Sequence, residues 1–296
     1  MARWHLVIDV ERCEDCNNCF LACKDEHVDN EWPGYAASQP RHGQRWIDIL
    51  RKERGRYPLV DAVYLPVPCM HCDDAPCVAA GGGAVRKRED GIVLIDPVRT
   101  QGMSELPASC PYGAIFWNEE AGLPQKCTLC AHLLDQGWRD TRCTQACPTG
   151  ALRLVEASDM QMQATAAGQG LEALNPEYAT RPRVLYKNLS RWDSHLVCGS
   201  VSLERDGLVE CAAGATVELY AGDPVAAESA TGGSASAPLS TAITDAFGDF
   251  RIDGLVLEPG GYSFSIALEG YAPVSYEVDI AGSCNVGTIR LQEVSL

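Results

Sequence analysis

Short apolar runs recur through the first 155 residues of the chain, and each adjoins or approaches a cysteine. The runs are HLVIDV (5–10), GIVLID (91–96), GAIFW (113–117) and GALRLV (150–155). Apolar, β-branched runs of this length predict buried strands. The segment SDMQMQATAAGQGLEAL (158–174) instead predicts a helix, with Ser158 or Asp159 as its N-cap.

The pattern changes near His195, where short segments of alternating polarity begin and are separated by Gly, Asp and Pro. They are HLVCGSVSLE, ATVELYAG, TAITDAFGDFRIDGL, GYSFSIALEGY, VSYEVDI and VGTIRL, and GGSASAP (232–238) predicts a flexible loop among them. Strands at this spacing predict a small antiparallel β-sandwich. We therefore expect a cysteine-bearing domain at 1–180 with an insert at 24–66, an extended connector at 181–194 and a sandwich domain at 195–296.

Composition and charge restrict the classes of function. The chain has 296 residues, 46% of them hydrophobic, and a net charge of -16. From Asp193 to the end there are 15 acidic and 3 basic residues. This balance argues against nucleic-acid binding, which requires a basic surface. The stretch 41–57 is the exception, with six Arg or Lys against two acidic residues. It is interpreted as a solvated surface or as a contact with a partner subunit.

The chain shows no apolar run of membrane-helix length and no secretory pattern ahead of Cys13. We therefore expect no direct membrane insertion. Clustered cysteines without an export signal favour the reducing cytoplasm, where they more often bind metal than form disulfides. Export together with a signal-bearing catalytic subunit is the alternative.

Twelve of the fifteen cysteines lie between Cys13 and Cys147, in patterns that predict iron-sulfur ligation. The first motif is C-x2-C-x2-C-x3-C, and the fourth cysteine of such a motif ligates a different cluster. The last group repeats the scheme as C-x2-C-x12-C-x3-C-P. Exchange of the fourth ligands predicts two [4Fe-4S] sites, which we name site 1 (Cys13, Cys16, Cys19, Cys147) and site 2 (Cys23, Cys127, Cys130, Cys143).

A second crossed pair of motifs has lost one of its two clusters. Cys69, Cys72 and Cys77 form C-x2-C-x4-C, and with the Cys110-Pro pair they complete site 3 (Cys69, Cys72, Cys77, Cys110). The companion cluster would need cysteines at positions occupied by Gly81, Thr100, Met103 and Leu106. All four of its ligands are absent together, so twelve cysteines account for three cubanes with none left over.

Other interpretations of the cysteines and their neighbours stay open at this point. Structural zinc is the main rival, because C-x2-C pairs also build four-cysteine zinc sites. His71 and His132 are candidates for tuning cluster potentials or for loop packing, and Lys126 for stabilising a reduced cluster or for simple solvation. Cys198, Cys211 and Cys284 lie in predicted strands, where buried cysteines behave as small hydrophobic residues.

The four-motif layout resembles the iron-sulfur subunits of the dimethyl-sulfoxide-reductase family of molybdopterin enzymes. Within that family the chain closely resembles the small subunits of pyrogallol-phloroglucinol transhydroxylases. The resemblance rests on segments spread over the chain, among them DCNNCF (15–20), NEWPGY (30–35), CMHC (69–72), REDGIVLIDP (88–97), CPYG (110–113), QKCTLCAHLLD (125–135) and YKNL (186–189). The C-terminal stretch also resembles immunoglobulin-like domains of the carboxypeptidase-regulatory or CnaB type.

The resemblance implies an α+β protein: a ferredoxin-like domain with three [4Fe-4S] clusters, followed by an all-β immunoglobulin-like sandwich. It implies an electron-transfer subunit that is not itself catalytic, with no catalytic residues of its own. Its partner would be a large catalytic subunit that binds molybdenum and molybdopterin guanine dinucleotide, in a heterodimer or a higher-order assembly. That complex would transfer, add or remove hydroxyl groups on polyhydroxylated aromatics.

Three alternatives have different consequences. The chain is the small subunit of a reductive catechol dehydroxylase or another molybdopterin reductase, or an independent polyferredoxin, or a zinc-stabilised adaptor. In a transhydroxylase the clusters only set the oxidation state of the metal, whereas in a reductase they deliver electrons in every turnover.

The ligand count gives a direct prediction of metal content. Anaerobically purified protein should contain about twelve irons per chain, since each of three cubanes holds four. Iron and zinc are measured by plasma mass spectrometry against protein concentration by amino-acid analysis. A value of about sixteen irons, or a colourless zinc protein, would contradict the three-cluster assignment.

Overall fold

The structure is a computed structural model that describes residues 2–57, 59–205, 207–222, 237–258 and 260–294. The chain divides into two compact units. The cysteine-rich unit comprises Met1–Arg51 and Val63–Trp192, and the two-sheet unit comprises Lys52–Ala62 and Asp193–Leu296. The stretch 52–62 of the predicted insert at 24–66 is therefore assigned with the C-terminal residues.

The cysteine-rich unit is built from short strands and helices. Its strands, counting the hairpin that the two units share, are β1 (Arg3–Asp9), β2 (Ile47–Arg56), β3 (Leu59–Pro68), β4 (Val85–Lys87), β5 (Val93–Ile95), β6 (Phe116–Asn118), β7 (Leu123–Gln125), β8 (Leu152–Ala157), β9 (Leu171–Glu172) and β10 (Val184–Lys187). The helices are α1 (Asn18–His27), α2 (Pro76–Ala80), α3 (Ala131–Asp135), α4 (Arg142–Gln145), α5 (Asp159–Gln169) and α6 (Ser190–Asp193). No helix in the described ranges is long and apolar enough to span a membrane.

One four-stranded sheet, in the order β8-β1-β10-β9, organises this unit. β1 pairs antiparallel with β8 and parallel with β10, while β2-β3, β4-β5 and β6-β7 form separate two-stranded sheets. The segment expected as a connector at 181–194 thus contributes a strand to the unit. The reason is the alternation of VLYK, in which Val184 and Tyr186 are buried and the Tyr186 hydroxyl donates to the Pro66 carbonyl at 2.9 Å.

The helix predicted at 158–174 is present but shorter. Ser158 caps α5 by accepting a hydrogen bond from the Gln161 backbone N–H, and the Gln161 side chain accepts one in return from the Ser158 N–H. This capping box is the one that the residue types at these positions favour. The helix ends at Gly170, whose φ of 61° is left-handed, because the next two residues pair with β10 as β9.

The two-sheet unit contains the strands predicted beyond His195. They are β11 (His195–Arg205), β12 (Leu208–Cys211), β13 (Thr216–Ala221), β14 (Ser240–Ile243), β15 (Asp249–Leu255), β16 (Gly260–Ala267), β17 (Val274–Ile280) and β18 (Cys284–Gln292). One sheet has the order β12-β11-β15 with β18 beside β11, and the other has the order β14-β13-β16-β17. Most of the predicted loop GGSASAP, residues 232–236, lies outside the described residues.

Both sheets contribute to a single apolar core, in which Phe250 and Phe264 lie with their ring centroids 5.7 Å apart. The prediction of a purely antiparallel arrangement is wrong, because β11 and β18 pair in parallel. β17 belongs to the other sheet, so β18 enters beside β11 by crossing between sheets and not through a hairpin.

The three C-terminal cysteines differ in their environments. Cys198 is fully buried and Cys284 is partly buried, as expected for small apolar residues. Cys211 is exposed, so the expectation of burial is wrong for that residue. It lies on β12, which pairs only with β11 and therefore forms an edge of its sheet.

The basic stretch at 41–57 is largely neutralised by carboxylates of the same chain. Arg41 pairs with Asp29 at 3.3 Å, Arg51 pairs with Asp15 at 2.6 Å, and Arg45 pairs with Asp48. These pairs favour a structural role for the stretch over a surface of free positive charge.

Arg54 forms the most buried ion-pair network of the two-sheet unit. Its side chain is inaccessible to solvent and lies 2.5 Å from Asp61 and 2.8 Å from Asp253. Burial opposes the charged form of Asp253, but hydrogen bonds from Arg251 and Arg54 outweigh it and lower the pKa of that carboxyl to about 2. The network ties residues 52–62 to β15.

We expect Arg54→Met to loosen this unit locally. Removing one member of a buried ion pair costs about 3 kcal/mol, at the low end of the usual range here because both aspartates reach solvent. Amide exchange in β15 and at 52–62 should accelerate by roughly a hundredfold, measured by hydrogen–deuterium exchange of the full chain. The control is Arg290→Met, which removes an exposed pair 3.9 Å from Glu204 and should leave exchange unchanged.

The same network predicts a dependence on acid. A carboxyl whose folded pKa lies below its unfolded value contributes stability that is fully present above about pH 4. That stability is lost as the pH falls toward 2. The protection of β15 amides in the unmodified chain, corrected for the intrinsic exchange rate at each pH, should therefore fall over this interval, and Arg54→Met should reduce the change. Equal acid dependence in both proteins would contradict the assignment to Asp253.

Candidate iron-sulfur centres

The cysteine motifs lie in loops that follow strands or precede short helices. Cys13 and Cys16 lie in the loop between a 3₁₀ turn and α1, Cys19 lies in the first turn of α1, and the next motif follows β3 directly at Cys69. Non-glycine residues with left-handed φ recur in these loops: Asp15 (55°), Asn17 (61°), His71 (45°), Leu129 (53°) and Cys130 (48°). Such conformations are unfavourable and concentrate at functional sites, where they orient backbone groups.

Site 1 brings the first and last motifs together through the central sheet. In the antiparallel pair of β1 and β8, Ile8 lies opposite Leu152, so the chain before Cys13 and the chain after Cys147 meet at one end of the sheet. Burial raises the pKa of Cys19 to about 12, and the charges of Cys13, Cys16 and Cys147 contribute to that increase. Cys16 is exposed, so this group lies at the surface of the chain.

The surroundings of Cys147 favour its thiolate, which is the form that binds metal. Burial disfavours its thiolate, but hydrogen bonds from the backbone of Leu152, Ala151 and Thr149 and from the Thr149 hydroxyl lower the pKa of the thiol. Hydrogen bonding to the charged form of a ligand is one of the ways in which a fold prepares a site for metal.

Site 2 is a small cavity of about 20 Å³, lined by the four cysteines predicted to share it: Cys23, Cys127, Cys130 and Cys143. Burial is the largest cause that raises the pKa of each thiol, to about 11 for Cys127 and about 12 for Cys143. The mutual repulsion of their thiolates adds to it. A positive group inserted among these sulfurs would therefore stabilise their ligating form.

Site 3 has the same construction. Cys69, Cys72, Cys77 and Cys110 line a cavity of about 20 Å³. Burial raises the pKa values of Cys72 and Cys77 to about 11, and the pKa of Cys110 is raised for the same reason. Cys110 follows a 3₁₀ turn at Leu106–Ser109, more than thirty residues from its three companions in sequence.

The positions of the absent fourth cluster are filled by other structure. A Cβ on Gly81 would lie 2.4 Å from Val85 Cγ2, so no side chain fits there without a shift. The Thr100 hydroxyl is buried and donates to the Asp96 carbonyl at 2.6 Å. Leu106 and Met103 pack in an apolar cluster with Val85. This volume is occupied by packed side chains.

Electrostatic interactions between thiols connect site 2 with both of the other sites. The charge of Cys19 contributes to the raised pKa of Cys143, which links sites 1 and 2. The charge of Cys69 contributes to the raised pKa of Cys127, which links sites 2 and 3. Coulombic interaction falls with distance, so these thiols are neighbours across the sites.

The donor sets fit iron-sulfur clusters. Backbone N–H groups approach the sulfurs, with Leu129 N–H donating to Cys127 Sγ at 3.4 Å and His71 N–H to Cys69 Sγ at 3.5 Å. Such bonds stabilise cluster sulfurs and set potentials. Among the described residues, no group of three or more His, Cys, Asp or Glu suits a single metal ion.

His132 has a structural environment that its sequence position did not indicate. Its Nε2 lies 2.9 Å from Glu26 Oε1, and its ring stacks on Trp32 with centroids 4.0 Å apart. Glu26 also binds Arg142 at 3.0 Å, beside Cys143. Glu26 therefore connects α1 to α3 through His132, and to α4 through Arg142, around site 2. The two residues are 106 positions apart, so the pair carried no local signal.

Comparison with known proteins identifies the class. The family described as "4Fe-4S dicluster domain" matches residues 60–157. The chain is 43% identical to the pyrogallol hydroxytransferase small subunit of Pelobacter acidigallici over 294 residues, 98% of this chain and 100% of that one. It is 33% identical to a tetrathionate reductase subunit of Salmonella typhimurium over 192 residues, 63% of this chain and 73% of the relative.

A third relative is the arsenate respiratory reductase iron-sulfur subunit of a Shewanella species. It is 27% identical over 235 residues, which are 62% of this chain and 95% of that one. The matched domain and these relatives define the chain as an iron-sulfur electron-transfer subunit. More narrowly, it belongs to the family of pyrogallol hydroxytransferase small subunits, as the full-length similarity shows.

The crossed pairing predicts which substitutions act together. Cys72→Ala and Cys110→Ala should alter the same component of the low-temperature EPR spectrum of the reduced protein, because both residues line one cavity. Each should lower the iron content by about one cubane, roughly four irons. Cys211→Ala is the matched control, since this exposed cysteine lies in the two-sheet unit. Different spectral components affected by the two variants would disprove the pairing.

Proposed function

We propose that the chain holds three [4Fe-4S] clusters, at sites 1, 2 and 3, and that they relay electrons along one line. The observation that carries this proposal is the grouping of twelve cysteines into three quartets, each completed by a cysteine remote in sequence. The cavities lined by the quartets of sites 2 and 3 support it, as does the close packing of Gly81 against Val85 at a position where a fourth cluster would need a ligand.

The residues of the chain have defined tasks in this proposal. Each quartet would ligate one cluster, and a cluster supplies one-electron transfer without a change of bonding partners. Left-handed residues in the loops aim backbone N–H groups at the sulfurs, where they offset negative charge. Burial of the thiols keeps water from sites 2 and 3. The exposed Cys16 makes site 1 the group with the readiest access to a redox centre outside this chain.

We further propose a permanent partner, a large catalytic subunit that binds molybdenum through molybdopterin guanine dinucleotide. The relatives are themselves named as subunits, which supports an assembly of at least two chains. The chain is similar to a pyrogallol hydroxytransferase small subunit. Its complex would therefore transfer hydroxyl groups on polyhydroxylated aromatics, and the partner would bind the substrate. This chain would then be non-catalytic.

A second candidate is the small subunit of a reductase, such as a catechol dehydroxylase. The 33% identity to a tetrathionate reductase subunit favours it, because the cysteine-rich unit is shared with subunits of reductive enzymes. The two functions differ in electron flow, since only a reductase needs net delivery of electrons in each turnover.

The two-sheet unit is proposed to be an immunoglobulin-like sandwich of the carboxypeptidase-regulatory or CnaB type that docks the large subunit. Its two sheets around one core and its acidic charge support this interpretation. We assign the complex to the cytoplasm as part of the same proposal, because accessible thiols such as Cys16 require a reducing environment before cluster assembly.

Co-purification with activity measurement tests this function. The chain is co-expressed anaerobically with a large molybdopterin subunit from the same organism and analysed by size exclusion. We expect co-elution at a 1:1 ratio, conversion of pyrogallol without an added reductant, and loss of activity without the large subunit. A requirement for a stoichiometric electron donor with a catechol substrate would support the reductase instead. A chain that elutes alone would refute both.

A further inference from the structure

Val93 on β5 holds two polar side chains against site 3. Its backbone N–H donates to His71 Nδ1 at 3.0 Å, and its carbonyl accepts from Lys126 Nζ at 2.5 Å. Both side chains line the cavity formed by Cys69, Cys72, Cys77 and Cys110. Both are also almost fully buried, at 2% and 3% exposure. One residue of a short strand thus positions two electropositive groups at one candidate cluster.

The hydrogen bond from Val93 fixes the tautomer of His71. Because Nδ1 accepts, the proton of the neutral ring is on Nε2. A protonated ring would carry a hydrogen on Nδ1 as well and could not accept from Val93, so the observed hydrogen bond requires the neutral ring. The Nε2 atom is buried without a hydrogen-bond partner in the described part of the chain. A buried N–H without an acceptor costs free energy, so such groups are rare in folded proteins and each one calls for an explanation.

Lys126 is a buried charge without a counter-charge. Its ammonium group donates to two carbonyls, those of Val93 and Cys127. Among the residues that the structure describes, no carboxylate lies within 4.0 Å of it. Lys126 lines the cavity that the four cysteines form, so its positive field acts on the sulfurs of site 3.

Two neighbouring cations lack these properties. Lys87 also approaches site 3, donating to the Cys72 carbonyl at 2.8 Å, but its side chain is 22% exposed and pairs with Asp73 at 2.8 Å. At site 2, Arg142 lies 3.0 Å from the carboxylate of Glu26. Solvent and carboxylates weaken the field of both cations, so Lys126 is distinguished by burial without a counter-charge.

We propose that His71 and Lys126 together raise the reduction potential of the cluster at site 3, and so make that end of the line the place where an electron is held. His71 would donate from Nε2 to a cluster sulfur, and Lys126 would supply a fixed positive charge. One electron enters the cluster and no proton or bonding partner is exchanged. The inference rests on the proposed function, because it requires a cluster at these four cysteines.

Potentiometric titration of the full chain, monitored by EPR, tests the role of Lys126. Lys126→Met removes the charge, Lys126→Gln keeps an N–H donor without charge, and Lys126→Arg keeps both. We expect the Met and Gln variants to lower the equilibrium constant for one-electron reduction at site 3 at least tenfold, a shift of about 59 mV. The Arg variant should retain most of the unmodified value. The signal of site 3 is identified by its loss in Cys110→Ser.

Lys87→Met is the matched control, because it removes a second lysine near the same cysteines. We expect a shift less than half as large, since Lys87 is exposed to solvent and paired with Asp73. Unchanged potentials in both Lys126→Met and Lys126→Gln would overturn the role of Lys126, as would an equal shift in Lys87→Met. A shift in Lys126→Met that Lys126→Gln restores would assign the effect to hydrogen bonding and contradict the role of charge.

The hydrogen bond of His71 is tested without altering the fold. Pulsed EPR of reduced protein labelled with histidine that carries ¹⁵N only in the ring should show nitrogen couplings to the site 3 cluster. They should disappear in His71→Gln, while His132→Gln should retain them. Absence of these couplings in the unmodified protein would overturn the proposal for His71.

Iron content separates this inference from the proposed function. Protein without iron or with zinc would refute the clusters themselves. Protein with full iron content and three reducible clusters, in which the variants leave all potentials unchanged, would refute only the tuning by His71 and Lys126.

Discussion

The fold of the cysteine-rich unit depends on a constraint in ligand geometry: a loop that presents three cysteines to one cluster must take the fourth from elsewhere. In this chain the fourth cysteine comes from a segment more than thirty residues away at every site. The sheet meets the constraint for sites 1 and 2, because the antiparallel pairing of β1 and β8 brings the first and last motifs to the same end. Helices α1 and α4, which carry Cys23 and Cys143, then pack together around site 2. Each shared quartet therefore connects distant parts of the chain.

Burial and charge act in opposite directions on these thiols. Removing a thiolate from water raises its pKa, and three further thiolates nearby raise it again, so the quartets are unfavourable as anions until a positive group lies between them. Backbone N–H groups, oriented by left-handed residues such as Leu129 and His71, offset part of this cost. Lys126 adds a whole charge at site 3. The same groups that make ligation favourable also stabilise an added electron, so cluster stability and electron affinity have a common physical origin.

The two-sheet unit is stabilised by apolar packing and by ion pairs within the unit. Its core of interleaved aromatic and aliphatic side chains needs no metal, and Arg54 with its two aspartates fastens residues 52–62 to β15. Arginines of the basic stretch form ion pairs of this kind within the chain. The positive charge of the stretch is therefore not by itself evidence for a docking surface. The full-length similarity to a small subunit includes this unit, which fits a chain that evolved as part of a larger assembly.

The sequence by itself determined the family and most strands and predicted the cysteine quartets, because cysteines that share a loop have a typical spacing and buried strands have a typical polarity pattern. It also indicated the capping of α5 at Ser158, which depends on residues only three positions apart. The strand in the expected connector, the parallel pairing of β11 with β18 and the exposure of Cys211 were decided by tertiary structure. So were the partners of Arg54 and the tautomer of His71, which Val93 fixes from 22 residues away. These features arise from contacts between remote segments, and such contacts leave no local pattern in the chain.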